Sequence, residues 1–156
     1  MISSDEIERY WRAYLASLPG VSYPRSERYV AEQFGDGPEL ADTLGALIVS
    51  RVKTATCSAL WEWEMEGKSP PSPGLKTVVL DGGGTPLCII ETTEVRIVPY
   101  NEVDAAFAES EGEGDLSLEY WREAHWRFFS RTLPKLGREA RPDMPLVCER
   151  FRLVYK

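Results

Sequence analysis

Lys53 and Thr56 are the residues whose types and spacing first suggest chemistry. A threonine hydroxyl is a poor nucleophile until a base takes its proton, and a lysine desolvated enough to lose its own proton can be that base. Residues three apart point to opposite faces of a regular strand but share a side of a helical turn. Cooperation therefore requires the pair to sit in a turn or in the irregular exit from a helix. Leu40, Leu44, Leu47 and Ile48 recur at helical spacing just upstream, and the helix they predict ends near Arg51. Lys-x-x-Thr alone is a common spacing, and a solvated lysine followed by a strand threonine satisfies it equally well.

Glu111, Glu113 and Asp115 form a second group, alternating with Gly112 and Gly114, which permit tight backbone turns. Such carboxylates can hold a divalent cation or supply one acid or base, although the run lacks the length and pattern of an EF-hand loop. An exposed loop with Asp115 at the start of the next helix accounts for the same residues. His125 is the single histidine and lies four residues after Trp121, on a face shared with Leu118, Phe128 and Phe129. That position suits a packed side chain as readily as a proton carrier, and one histidine assembles no Ser-His-Asp arrangement here. Trp61 and Trp63, just after the lysine segment, are placed to stack on bases, although most aromatics at helical spacing form core. Gly82-Gly83-Gly84 joins two strands and is not followed by Gly-Lys-Ser/Thr, so it reads as a turn rather than a phosphate loop.

The elements that must carry these residues follow from patterning. Ser3 or Ser4 can cap a first helix with Ile7, Tyr10, Trp11, Tyr14, Leu15 and Leu18 on one face, stopped by Pro19-Gly20. A loop with Tyr23-Pro24 follows, then Tyr29 to Phe34, whose type the pattern leaves open. Pro38 opens the second helix, and Ser58 is expected to cap a short one through Trp61-Glu62-Trp63-Glu64 before the proline-rich bend at 70–73. Thr77 to Leu80 and Leu87 to Ile90 read as a hairpin, its second strand continuing through Thr92 to Val98. Asn101 is expected to cap a helix holding Val103, Phe107 and Ala108. A long helix from about Ser117 to Leu136 and a last strand, Leu146 to Tyr155, complete an α+β pattern with a mostly antiparallel, curled sheet.

With 156 residues, five Trp, seven Tyr and five Phe, the chain suits one domain with a sizeable core. Cys57, Cys88 and Cys148 are odd in number and widely spaced, which argues against a disulfide framework or zinc knuckle and suits a reducing, cytoplasmic setting. Charges run through the first twenty residues and no apolar run approaches a bilayer span, so no signal peptide and no membrane association are expected. A net charge of -7 favours a small ligand or short RNA over an extended polyanion, which is gripped by surplus Lys and Arg.

From Phe34 onward the arrangement resembles the larger bacterial type of ASCH domain. The resemblance rests on Lys-x-x-Thr after a helix, a bend before Gly74 and a hairpin. It continues in the acidic run Glu111-Gly112-Glu113-Gly114-Asp115, the stretch Trp121-Arg122-Glu123-Ala124-His125-Trp126, and a strand through Val147-Cys148-Glu149-Arg150-Phe151. It implies a PUA-like fold, a small curled β-barrel flanked by helices, as one domain over residues 1–156 with an N-terminal helical extension of about 1–33. It also implies binding of RNA. Small relatives hydrolyse the amide of N4-acetylcytidine with a threonine, a lysine and a glutamate, and others are described as ribonucleases. Carried over by position, these catalytic roles fall on Thr56, Lys53 and Glu111, with Arg51, Trp61, Glu113, Asp115, Trp121 and His125 as ligand-binding candidates. The usual motif reads Gly-x-Lys-x-x-Thr, and Arg51 stands where the glycine would.

Three functions follow. The first is hydrolysis of the amide of an acylated cytidine-type nucleoside, which needs neither metal nor cofactor. The second is a ribonuclease acting on single-stranded RNA, and the third is an RNA-binding module without catalysis. The expected partner is a modified nucleoside or a short single-stranded RNA.

Overall fold

The apolar stripe of the first helix, α1 (Ser4–Ser17), buries Ile7, Trp11, Tyr14 and Leu15 as its spacing predicts. The computed structural model describes residues 4–20 and 28–156; Ser3 and the Tyr23-Pro24 segment lie outside them. The other helices are α2 (Pro38–Val49), α3 (Leu60–Met65), α4 (Ala105–Glu111) and α5 (Leu118–Thr132). The strands are β1 (Tyr29–Gln33), β2 (Ala55–Ala59), β3 (Lys76–Leu80), β4 (Pro86–Pro99) and β5 (Pro145–Tyr155).

Hydrogen bonds join the strands in the order β1-β3-β4-β5-β2. β1 runs parallel to β3, whereas β3 with β4 and β2 with β5 are antiparallel. The segment left open by its pattern is thus an edge strand, and only Tyr29 in it is even half-buried.

Two compact units divide the residues. The first takes in the described residues of 1–51 together with 74–91 and 152–156. In it α1 packs Ile7, Trp11, Tyr14 and Leu15 against Val78, Leu80 and Ile89. The second takes in 52–73 and 92–151. Its core gathers Ala55, Ala59, Tyr100, Phe107, Trp121, Phe129, Leu133 and Leu146.

Local details depart from the sequence reading. The buried side of α2 is Ala41, Leu44, Gly45 and Ile48, so Leu40 is exposed and Leu47 only half-buried. Leucine spacing is ambiguous when alanine and glycine also fit the stripe, and packing chose the smaller residues. Asp104, not Asn101, caps α4, accepting from the Phe107 N–H; Asn101 sits in a 3-10 turn. Ser58 lies within β2 and accepts from the Trp63 indole instead of capping α3. The long helix ends at Thr132, and Leu133–Leu136 tightens into 3-10 around Pro134, which cannot donate a backbone bond. Among the described residues no helix is long and apolar enough to cross a membrane.

Helix α2 ends with Ser50, whose N–H bonds to the Ala46 carbonyl. The next residue, Arg51, takes a left-handed φ of 65°. This is the conformation a glycine adopts freely, so Arg51 accepts strain of roughly 1–2 kcal/mol. Arg51→Gly is expected to stabilise the protein by about 0.5–1 kcal/mol, the relief of strain less the extra chain entropy of glycine. Urea unfolding midpoints of the two proteins check this.

Candidate functional site

Lys53 is 1% exposed. Its ammonium donates to the Ala55 carbonyl at 2.8 Å and to the Glu111 carboxylate and the Glu113 carboxylate, each at 3.1 Å. The Glu111 carbonyl lies at 3.3 Å. The backbone that builds this site depends on one glycine. Gly112 ends α4 with φ 72°, and a Cβ there would stand 2.6 Å from the Val52 carbonyl oxygen and 2.8 Å from the Lys53 Cα. Without a side chain at Gly112 the end of α4 can lie against residues 52–54, where the Thr54 N–H donates to the Ser110 carbonyl. That docking carries Glu111 to Lys53.

From the other side α5 completes the enclosure. The Trp121 indole donates to Glu111 Oε2, and His125 Nε2 stands 3.3 Å from the same oxygen. His125 Nδ1 lies 2.8 Å from the Trp121 carbonyl. A carbonyl only accepts, so Nδ1 carries a proton; Nε2 then donates to the carboxylate when the ring is imidazolium. The Trp121 and His125 rings stack with centroids 4.2 Å apart. With His125 as imidazolium, two cations face two carboxylates.

Burial opposes the charge on Glu111, but Lys53, with His125 and Trp121, more than reverses this and holds its carboxyl at about 2. Burial likewise opposes the His125 and Lys53 cations, yet Glu111, joined at Lys53 by Glu113, raises both. Cys57 is pushed well above the ordinary thiol value by burial and by the Glu111 charge.

Of the residues singled out by sequence, the structure brings Lys53, Glu111, Glu113, Trp121 and His125 together. Thr56 lies in β2 between Ala55 and Cys57, which face the core, and so projects to the other side of the strand. Among the described residues no hydrogen bond joins it to Lys53. Its cross-strand neighbour is Glu149, which accepts from the Thr92 hydroxyl. Asp115 is at the start of α5, accepting from the Ser117 N–H, and Trp61 is half-buried with the Arg138 guanidinium 4.8 Å from its ring centre. Arg51 occupies the turn after α2. The two carboxylates favour the ammonium form of Lys53, in which it has no lone pair to serve as a base.

A cleft of about 330 Å3 opens in the same unit, and no sequence signal marked it. Val98, Val103, Phe107 and Cys148 give it apolar surface; Arg96, Arg150, Glu94, Glu102 and Asp104 supply charge. The Arg150 guanidinium lies 5.4 Å from the Phe107 ring centre, donates to the Ser110 hydroxyl at 2.8 Å and stands 3.7 Å from Glu94. These residues come from β4, the turn after it, the start of α4 and β5, so only the tertiary fold brings them together. The polar Asp104 before an apolar helical run was the one cue within reach, as a helix cap.

The family model described as ASCH domain matches residues 30–155. A crystal structure of an ASCH domain from Lactobacillus crispatus is 40% identical, with a TM-score of 0.89, over 98% of this chain and 96% of that one. A protein of Enterococcus faecalis is 38% identical, with a TM-score of 0.87, over 98% of this chain and 90% of that one. No curated protein matches the chain. The α+β, PUA-like fold expected from the sequence is the fold found.

Removing one partner of the buried pair leaves an uncompensated charge, so Lys53→Ala and Glu111→Ala are each expected to cost about 3–5 kcal/mol. The double change Lys53→Met with Glu111→Gln should cost clearly less than the sum of its single changes, read from urea unfolding as a double-mutant cycle. The pH dependence has a definite sign. Glu111, depressed from 4.5 to about 2, contributes stability that is present above pH 4.5 and lost as pH falls toward 2. His125, raised from 6.5, contributes stability that is full below pH 6.5 and lost as pH rises through its folded value. Unfolding midpoints against pH should therefore fall on both sides of this window, and His125→Gln should remove the part of the alkaline loss that begins above pH 6.5.

Proposed function

The chain belongs to the ASCH domain family, and from that premise we propose that it recognises a nucleobase in the cleft beside Phe107, either in a modified nucleoside or splayed out of a short single-stranded RNA. ASCH domains are PUA-like and generally associated with RNA. The observation that carries the reading is the composition of the cleft. Phe107, Val98, Val103 and Cys148 supply apolar surface for a base, and Arg150 adds a planar cation beside the Phe107 ring. Glu94, Glu102 and Asp104 can accept from an exocyclic amine, while Arg96 and Arg150 can donate to a ring carbonyl or a phosphate. A volume of about 330 Å3 suits one base and its sugar better than a polymer track. The net charge of -7 points the same way, because it offers no broad surplus of cations for a duplex.

Hydrolysis of the amide of an acylated cytidine-type nucleoside is a second reading, and one observation favours it. Thr56 stands directly across the ladder from Glu149, whose carboxylate is hydrogen-bonded by Thr92. A carboxylate in that position can take the hydroxyl proton as Thr56 attacks an acyl carbon, a role the protonated Lys53 is unsuited to.

Binding is measured by calorimetry with cytidine, N4-acetylcytidine and short single-stranded RNAs, and the products are separated by chromatography. Phe107→Ala and Arg150→Ala should each weaken binding at least tenfold, about 1.4 kcal/mol. If the wild type binds none of these ligands, the cleft reading fails. Hydrolysis of N4-acetylcytidine that disappears in a folded Thr56→Ala would support the second reading, with the substrate on the Thr56–Glu149 side of the strands rather than in the cleft.

A further inference from the structure

Cys57 in β2, Glu111 at the end of α4 and His125 in α5 bring a thiol sulfur, a carboxylate oxygen and an imidazole nitrogen within 4.8 Å of one another. None of the three lines the cleft, and the nucleobase reading leaves Cys57 without a role. We propose that these three side chains form a site for one divalent transition-metal cation of the zinc type.

The donor set selects the ion. One sulfur, one nitrogen and one carboxylate suit a borderline-soft cation with three protein ligands and an open fourth position, whereas calcium and magnesium require mostly oxygen. Ligand atoms around a tetrahedral zinc stand about 3.5 Å apart, so the three groups need to draw in by only about 1 Å. Their surroundings are those of ligands already oriented. His125 is fixed through Nδ1 on the Trp121 carbonyl, which directs Nε2 toward Glu111; a metal-binding histidine is normally held this way by its other nitrogen. Glu111 is held in turn by the Lys53 ammonium and the Trp121 indole. The His125 side chain, 15% exposed, leaves a way in for the ion.

The exchange also balances. Without the ion, the Cys57 thiol carries its proton, as does His125 Nε2 whenever the ring is imidazolium. On binding, a metal–nitrogen bond replaces the Nε2–H bond and a metal–sulfur bond replaces the S–H bond. From the imidazolium form two protons leave as two positive charges enter, so the charge of the group is unchanged.

The test uses the full chain, stripped with chelator, kept reduced and titrated with cobalt(II) and then zinc(II). One equivalent of cobalt should bind with a thiolate-to-cobalt charge-transfer band and with release of at least the thiol proton in weak buffer, and zinc should then displace the cobalt with no further proton release. Cys57→Ser should abolish the band, and His125→Gln should weaken zinc binding at least 100-fold, with circular dichroism confirming that each variant is folded. The Cys88→Ser, Cys148→Ser double variant should keep the band, which assigns it to Cys57 even where Cys57→Ser does not fold. No stoichiometric metal bound to the reduced wild type overturns the proposal. So does undiminished binding in Cys57→Ser or His125→Gln, or a band that vanishes from a folded Cys88→Ser, Cys148→Ser protein. None of these readouts depends on nucleoside binding, so the two readings fail separately.

Discussion

A lysine and a glutamate, each about 1% exposed, face one another in the interior of the second unit, and much of that unit is arranged around their mutual charge. Each ion costs several kcal/mol to take out of water, and the pair repays this only with close geometry and with its remaining hydrogen-bonding capacity filled. Every element nearby contributes to that. The first residue of β2 presents its carbonyl to the Lys53 ammonium, α4 ends on Gly112 so that its last turn lies against residues 52–54, and α5 sends in the Trp121 indole and the His125 ring. The loop after α4 returns Glu113 as a second counter-charge, itself partly open to water.

This constraint decides what the conspicuous lysine can do. Two carboxylates favour it as a cation, and in that form it has no lone pair with which to accept a proton. It also fixes α4, which is capped by Asp104 and carries Phe107 and Ser110. Asp104 and Phe107 line the cleft, and Ser110 accepts from Arg150 at its rim. The buried ions and the proposed binding surface are thus two ends of one short helix. The proposed Cys57–Glu111–His125 site uses the same framework, because the Lys53 ammonium and the Trp121 indole that hold Glu111 would still hold it with a metal bound.

The sequence makes the element order legible to a large extent, because apolar spacing, glycines and prolines act over a few residues. The stripe of α1, the hairpin of β3 and β4, the aromatic face of α5 and the final strand are where periodicity places them. Where two local solutions competed, the pattern misled. Leu40 and Leu47 look like core, yet α2 turns Ala41 and Gly45 inward, and Asn101 looks like a cap although Asp104 is one. The resemblance carried by Lys-x-x-Thr and the acidic run reached the family, and five of its nine site residues do come together.

What the sequence determined by itself is therefore the α+β character, the family, and the presence of a lysine, a glycine-spaced acidic run and a tryptophan–histidine helix. What only the tertiary structure decided is which of these touch. Lys53 and Glu111 are 58 positions apart. Their meeting depends on a left-handed Gly112 and on burial, neither of which a charged residue announces in one dimension. The cleft and the Cys57 group arise the same way, from the register of β2 on β5 and the docking of two helices. Spacing along a chain controls which face a residue takes within its own element, whereas charge, protonation and reach are set by what other elements bring against that face.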